Sequence, residues 1–140
     1  MSFLQIVYTV FSMALAGLAP SAYAQDADTV IHNTENGTPY LSGGITADER
    51  SQLQNHEKDF NLKLIFTEVN GGYLSDVKVA INDTAGNSLL QTTTEGPLFY
   101  THLAPGKYTL TLENDGKIQT KEVTLLGTDK LDTINFSWSH

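Results

Sequence analysis

The stretch Thr92 to Leu112, TTTEGPLFYTHLAPGKYTLTL, decides the fold. Two turn signals, Gly96-Pro97 and Pro105-Gly106, bracket the short apolar run LFYTHL. After the second turn Tyr108, Leu110 and Leu112 recur at every other position, the period of a half-buried strand. The stretch therefore reads as strand, turn, strand. Alternation within the first strand places Leu98 and Tyr100 on the core face, with Leu103 after them, and turns Phe99 to the other side. There Phe99 either packs under the N-terminal helix or against Tyr40-Leu41, or joins Tyr73 in an exposed aromatic patch for a protein or sugar partner.

Working outward, the same period holds from Phe60 onward. Leu62, Leu64 and Phe66 share one face of NLKLIFTE, and Val77, Val79 and Ile81 share one face of DVKVAIN. Asn82 to Asn87, NDTAGN, has the composition of a tight turn, and SLLQTTT returns as a strand rich in β-branched residues. Asn114-Asp115-Gly116 is a hairpin signal between KYTLTLE and KIQTKEVTLL. The strand LDTINFSW puts Ile134, Phe136 and Trp138 on one face. Seven short strands at hairpin spacing predict an all-β fold, a seven-stranded antiparallel β-sandwich with a short N-terminal helix, over residues 45–140.

The N-terminal third is organised differently. Residues 1–24, MSFLQIVYTVFSMALAGLAPSAYA, carry no charged side chain and close on Ala22-Tyr23-Ala24, an A-x-A-like site. They read as a secretory signal peptide cleaved after Ala24. Residues 25–44 are polar, acidic and without a sustained period, a flexible lead-in in which Tyr40-Leu41 is the pair able to dock on the domain. Thr46-x-x-Glu49 then starts a short helix, expected over about 47–57, with Asp48 and Glu49 in the first turn, where the helix dipole favours negative charge. Its apolar content is mainly Leu53, so it lies on the surface with one edge held to the domain.

The chain has 140 residues, a formal net charge of −8 and no Cys. No disulfide and no lipid-bearing cysteine are available, so the core alone holds the domain. An acidic chain without basic clusters is a poor match for nucleic acid or anionic lipid, both of which select Lys and Arg. After signal cleavage no remaining segment is apolar enough for stable membrane insertion, which predicts a periplasmic or secreted location.

The run from Leu64 to Leu125 resembles the carboxypeptidase regulatory-like domain, a transthyretin-like or prealbumin-like sandwich. The residues that carry the likeness are Val77, Val79, Ile81, Asp83, Gly86, Leu90 and Thr94, then Gly96-x-Leu98-x-Tyr100-x-x-Leu103-x-Pro105-Gly106-x-Tyr108-x-Leu110. PYLSGGITADERSQL, with FNLKLIF and GGYLSDVKV, also looks like small secreted bacterial proteins that carry this domain alone behind a signal peptide. The resemblance implies an accessory or adhesive module rather than a chemistry. In the Pro105-Gly106-x-Tyr108 corner, Pro105 fixes φ, Gly106 permits positive φ, and Tyr108 buries its ring while its hydroxyl needs an acceptor.

Sites for chemistry are sparse. His32, His56, His102 and His140 show no metal-ligand spacing, and His56-x-x-Asp59 also reads as a solvated helix end. No G-x-S-x-G elbow or EF-hand loop is present; Ser75-Asp76, Asp83 and Asp115 read as turn chemistry. The hydroxyisourate hydrolases, an enzyme class hosted by the prealbumin-like fold, gather several His and Arg in one cleft, whereas the only Arg here is Arg50. The expectation is a non-enzymatic module without metal or cofactor that acts on an envelope or extracellular protein partner. Two alternatives stand beside it: carbohydrate binding through Phe99 and Tyr73, and a structural subunit of an envelope assembly that uses open sheet edges.

Overall fold

Leu62, Leu64 and Phe66 alternate with half-buried neighbours along one strand, and that alternation organises both layers of the molecule. The computed structural model describes residues 32–33, 37–127 and 130–140; the expected signal peptide and most of the expected lead-in lie outside the described residues. The strands are β1 (His32–Asn33), β2 (Pro39–Gly43), β3 (Leu62–Glu68), β4 (Lys78–Asp83), β5 (Ser88–Thr93), β6 (Leu98–Thr101), β7 (Gly106–Asn114), β8 (Lys117–Leu125) and β9 (Asp132–Trp138). One helix, α1 (Ala47–Gln54), and a 3-10 turn (Glu57–Asp59) lie between β2 and β3. Among the described residues no helix is long and apolar enough to cross a membrane.

The strands form two sheets. Sheet I has the order β1-β2-β6-β3-β9 and sheet II the order β5-β4-β7-β8. Their inner faces share one core: Leu64, Phe66, Phe99, Phe136 and Trp138 from sheet I meet Val79, Ile81, Leu90, Leu110 and Leu112 from sheet II. This is the sandwich-like, all-β arrangement the alternation predicts, and the seven expected strands are all present.

Two parts of the expectation are corrected. Residues 39–43, read as flexible lead-in, form β2, so among the described residues eight strands of four or more residues are present rather than seven. β2 pairs with β6, Leu41 opposite Tyr100 and Ser42 opposite Phe99, and Leu41 is fully buried. The sheets are also not wholly antiparallel: β9 runs parallel to β3, Leu62 opposite Asp132 through Glu68 opposite Trp138. Periodicity reports which side a residue faces and is blind to strand direction.

A second core lies on the outer face of sheet I, where Leu41, Leu53, Phe60, Leu98 and Tyr100 pack together. α1 reaches it through Leu53, its one buried residue. The helix ends at Gln54 rather than near residue 57, and the chain tightens into the 3-10 turn that brings Phe60 in beneath it. At its start the Thr46 hydroxyl accepts from the Glu49 N–H at 3.1 Å. The Glu49 carboxylate turns back to accept from Ile45 and Gly44 N–H at 2.9 and 3.0 Å, one and two residues short of the expected cap.

The two turns of the opening stretch are fixed by contacts. Tyr108 donates its hydroxyl to the Ala104 carbonyl at 2.6 Å, closing the corner over Pro105 and Gly106. Gly96 lies against the backbone of Gly43, so close that a Cβ there would overlap the Gly43 carbonyl group. The buried Asn61 amide pairs with Leu103 like a strand residue, donating to its carbonyl at 2.7 Å and accepting its N–H at 3.0 Å.

Candidate functional site

Phe99 does not face outward. On β6 it lies opposite Leu64 of β3, and directly paired residues project to the same side of a sheet. Leu64 faces sheet II, so Phe99 enters the main core at 0% exposure, stacked on Tyr40 with ring centroids 5.7 Å apart. Leu98 and Tyr100 are on the opposite face, in the second core. The alternation of β6 is as expected and its sense is reversed: Tyr100 and Tyr108 belong to different cores. Packing against Tyr40 is one of the places expected for Phe99, whereas α1 covers Leu98 and Tyr100 instead of it; its burial excludes an exposed patch shared with Tyr73.

Tyr73 is on the surface, with 56% of its area exposed. Its loop is held firmly: Glu68 N–H donates to the Gly72 carbonyl at 2.7 Å, and Gly71 N–H to Glu68 at 2.8 Å. Gly71 adopts φ 101°, in the left-handed region where a side chain would be strained. Tyr73 itself bridges to Thr67 of β3. Over the ring lies the guanidinium of Arg50, 5.1 Å from the centroid, within cation-π range.

Arg50 is in turn anchored from α1. Its Nη1 donates to the carbonyls of Gly44 and Ile45 at 2.9 and 3.2 Å. Ile45, whose carbonyl takes part, exposes 64% of its area. The result is a surface cluster in which an aromatic ring lies under a guanidinium fixed by a separate segment, whose anchoring residue Ile45 exposes its side chain. Tyr and Arg are the side chains most enriched at the energetic centres of protein interfaces. Arg50 was legible only as a lone cation; its meeting with Tyr73 depends on the helix position.

A half-buried polar trio is centred on Glu57 of the 3-10 turn. Glu57 Oε2 accepts from Lys63 Nζ at 2.8 Å and from the Tyr100 hydroxyl at 2.8 Å. Burial pushes the Glu57 carboxyl up, but the hydrogen bonds from Lys63 and Tyr100 and the Lys63 charge outweigh it and hold it below the usual carboxylate range. Burial, reinforced by the hydrogen bond and negative charge of Glu57, pushes the Tyr100 hydroxyl well above the ordinary tyrosine range. With Tyr100 at 0% exposure, the trio fastens the 3-10 turn to sheet I.

The remaining polar candidates are engaged in turns. Asp83 Oδ1 accepts from Ala85 and Asn87 N–H, both at 2.9 Å, and Oδ2 from the Asn87 amide at 3.1 Å. Those donors, the Asn87 backbone first, hold the Asp83 carboxyl low although burial opposes them. Asp76 and Asp115 adopt φ 59° and 53°, left-handed turn positions. His56 Nδ1 lies 3.8 Å from Asp59 Oδ2 across the 3-10 turn. Among the described residues no three His, Cys, Asp or Glu side chains gather where a metal ion could be held. A search of family models and of curated proteins finds no match to the chain.

Proposed function

We propose that the chain is a non-enzymatic, periplasmic or secreted sandwich module of the carboxypeptidase regulatory-like kind, which binds another envelope or extracellular protein through the surface centred on Tyr73, Arg50 and Ile45. The observation that carries this reading is the half-exposed Tyr73 ring held under an anchored guanidinium. A preorganised aromatic and cation spend little conformational entropy on association. The motif from Val77 to Leu110 supports the family reading, with β2 as an added strand.

The edge-pairing alternative has less support. On one side of the molecule the edges of β8 and β9 are already joined: Gln119 Nε2 donates to the Ser137 carbonyl at 2.7 Å and Trp138 Nε1 to the Lys117 carbonyl at 3.0 Å. Lys117 Nζ also donates to Ser139. The test is affinity capture from envelope extracts with the wild type beside Tyr73→Ala and Ile45→Ser. Loss of the same partner in both variants supports the assignment, and equal capture by all three proteins overturns it.

A further inference from the structure

We propose a second, independent binding site on the outer face of sheet II, shaped for a short segment of neutral oligosaccharide. Strands β5, β4 and β7 lie side by side there, and their register sets two rows of side chains across them. Lys78 is opposite Thr93 on one side and Glu113 on the other; Ala80 is opposite Gln91 and Thr111. Ala80 ends at its Cβ while its five neighbours are longer, so the middle of the face is a depression. An open depression of about 350 Å³ occupies this place, toward the lower end of the roughly 300–1,000 Å³ of small-ligand sites.

The lining selects the ligand class. Lys78, Thr93, Thr111 and Glu113 make no side-chain hydrogen bond or ion pair among the described residues. Lys78 and Glu113 are neighbours in register yet form no ion pair within 4.0 Å. An apolar occupant would strip water from both charges without replacing it, which is unfavourable. An anion meets Glu113 and a chain of net charge −8, and a cation meets Lys78.

A neutral sugar avoids all three penalties. Each of its hydroxyls both donates and accepts, so it can satisfy the carboxylate, the ammonium, the Gln91 amide and the threonine hydroxyls together. Its C–H face has the Ala80 methyl as a floor. An extended peptide gains affinity by adding to a sheet edge, and this site is a face whose strands are already paired on both sides of β4. The site shares no residue with the Tyr73 cluster, so the two assignments stand or fall separately.

The test is titration of the ¹⁵N-labelled full chain with maltopentaose, cellopentaose and chitopentaose, with a hyaluronan tetrasaccharide as the acidic comparison. The expected result is saturable amide shifts at Lys78, Ala80, Gln91, Thr93, Thr111 and Glu113 with at least one neutral oligomer, at a Kd of about 1 mM or tighter. Ala80→Leu, which fills the floor from the solvent side, should weaken that binding about tenfold or more with an unchanged melting temperature; Glu113→Gln should weaken it as well. No saturable shift with any neutral oligomer, a response insensitive to Ala80→Leu, shifts confined to Tyr73, or a stronger response to the acidic oligomer would each overturn the proposal.

Discussion

Tyr100 and Glu57 are joined by a 2.8 Å hydrogen bond between a fully buried ring on β6 and a carboxylate on the 3-10 turn. Lys63 of β3 donates to the same carboxylate oxygen. Its ammonium lies 5.4 Å from the centroid of the Tyr100 ring. Three elements thus meet at one oxygen, and the stability of the helical segment is tied to the ionisation of that oxygen.

The acid limb follows from the sign of the Glu57 shift. A carboxyl held lower in the folded chain than in the unfolded one contributes stability above its unfolded pKa, and that contribution is lost as pH falls through the folded value. Glu57→Gln should lower stability by about 1 kcal/mol at neutral pH, the partly exposed position limiting the effect. The difference between variant and wild type should shrink below about pH 4. Urea denaturation at a series of pH values measures it.

Tyr100 gives the opposite limb. Its hydroxyl holds its proton more tightly in the folded chain, so the contribution is complete below the ordinary tyrosine range and is lost as pH rises above about 10. Tyr100→Phe keeps the ring against Phe60, 5.7 Å away, and removes the group that titrates. It should cost about 1–2 kcal/mol at neutral pH and flatten the alkaline loss of stability. Thermal melts between neutral and alkaline pH are the measurement.

Leu53→Ala tests how α1 is held. Leu53 is the helix's one buried residue, packed with Leu41, Phe60, Leu98 and Tyr100. The truncation should cost about 2–4 kcal/mol. Amide exchange should quicken in α1 and β2 before it does in sheet II.

Gly96→Ala and Gly116→Ala separate two reasons for glycine. At Gly96 a Cβ strikes the Gly43 carbonyl group, so β2 must move away from the start of β6. At Gly116 nothing lies within 4 Å and the strain is the φ of 79° alone. The first change should cost about 2 kcal/mol or more and the second about 1 kcal/mol. Hydrogen exchange should show β2 opened only by the first.

Strands with one wet face were legible because their alternation is clean. In β7 Tyr108, Leu110 and Leu112 are buried, and the Asn114-Asp115-Gly116 hairpin falls where its residues place it, with positive φ at Asp115 and Gly116. β6 is different: Leu98, Phe99, Tyr100 and Thr101 are all buried because apolar material covers both of its faces. Alternation then separates Phe99 from Tyr100 without saying which of them meets sheet II; the pairing of Phe99 with Leu64 decides that. β2 escaped notice for a related cause. Its five residues are too few to show a period, and its burial comes from β6 and α1, elements distant in sequence. Half of the Tyr73 cluster was legible, the exposed ring on the Gly-Gly loop. The other half needed the position of Arg50 over it.

The parallel pairing of β9 with β3 bears on the order in which the domain assembles. Sheet II contains two local hairpins, β4 with β5 and β7 with β8, whose ends meet over short loops. In sheet I, β3 meets β9 across a separation of 70 residues, as between Thr67 and Ser137. Loop closure of that length precedes any gain from the ring contacts of Phe66 with Phe136 and Trp138. Sheet II is thus the half suited to nucleate folding. Sheet I, gathered from distant segments, is expected to close after it and to seal the aromatic end of the core last.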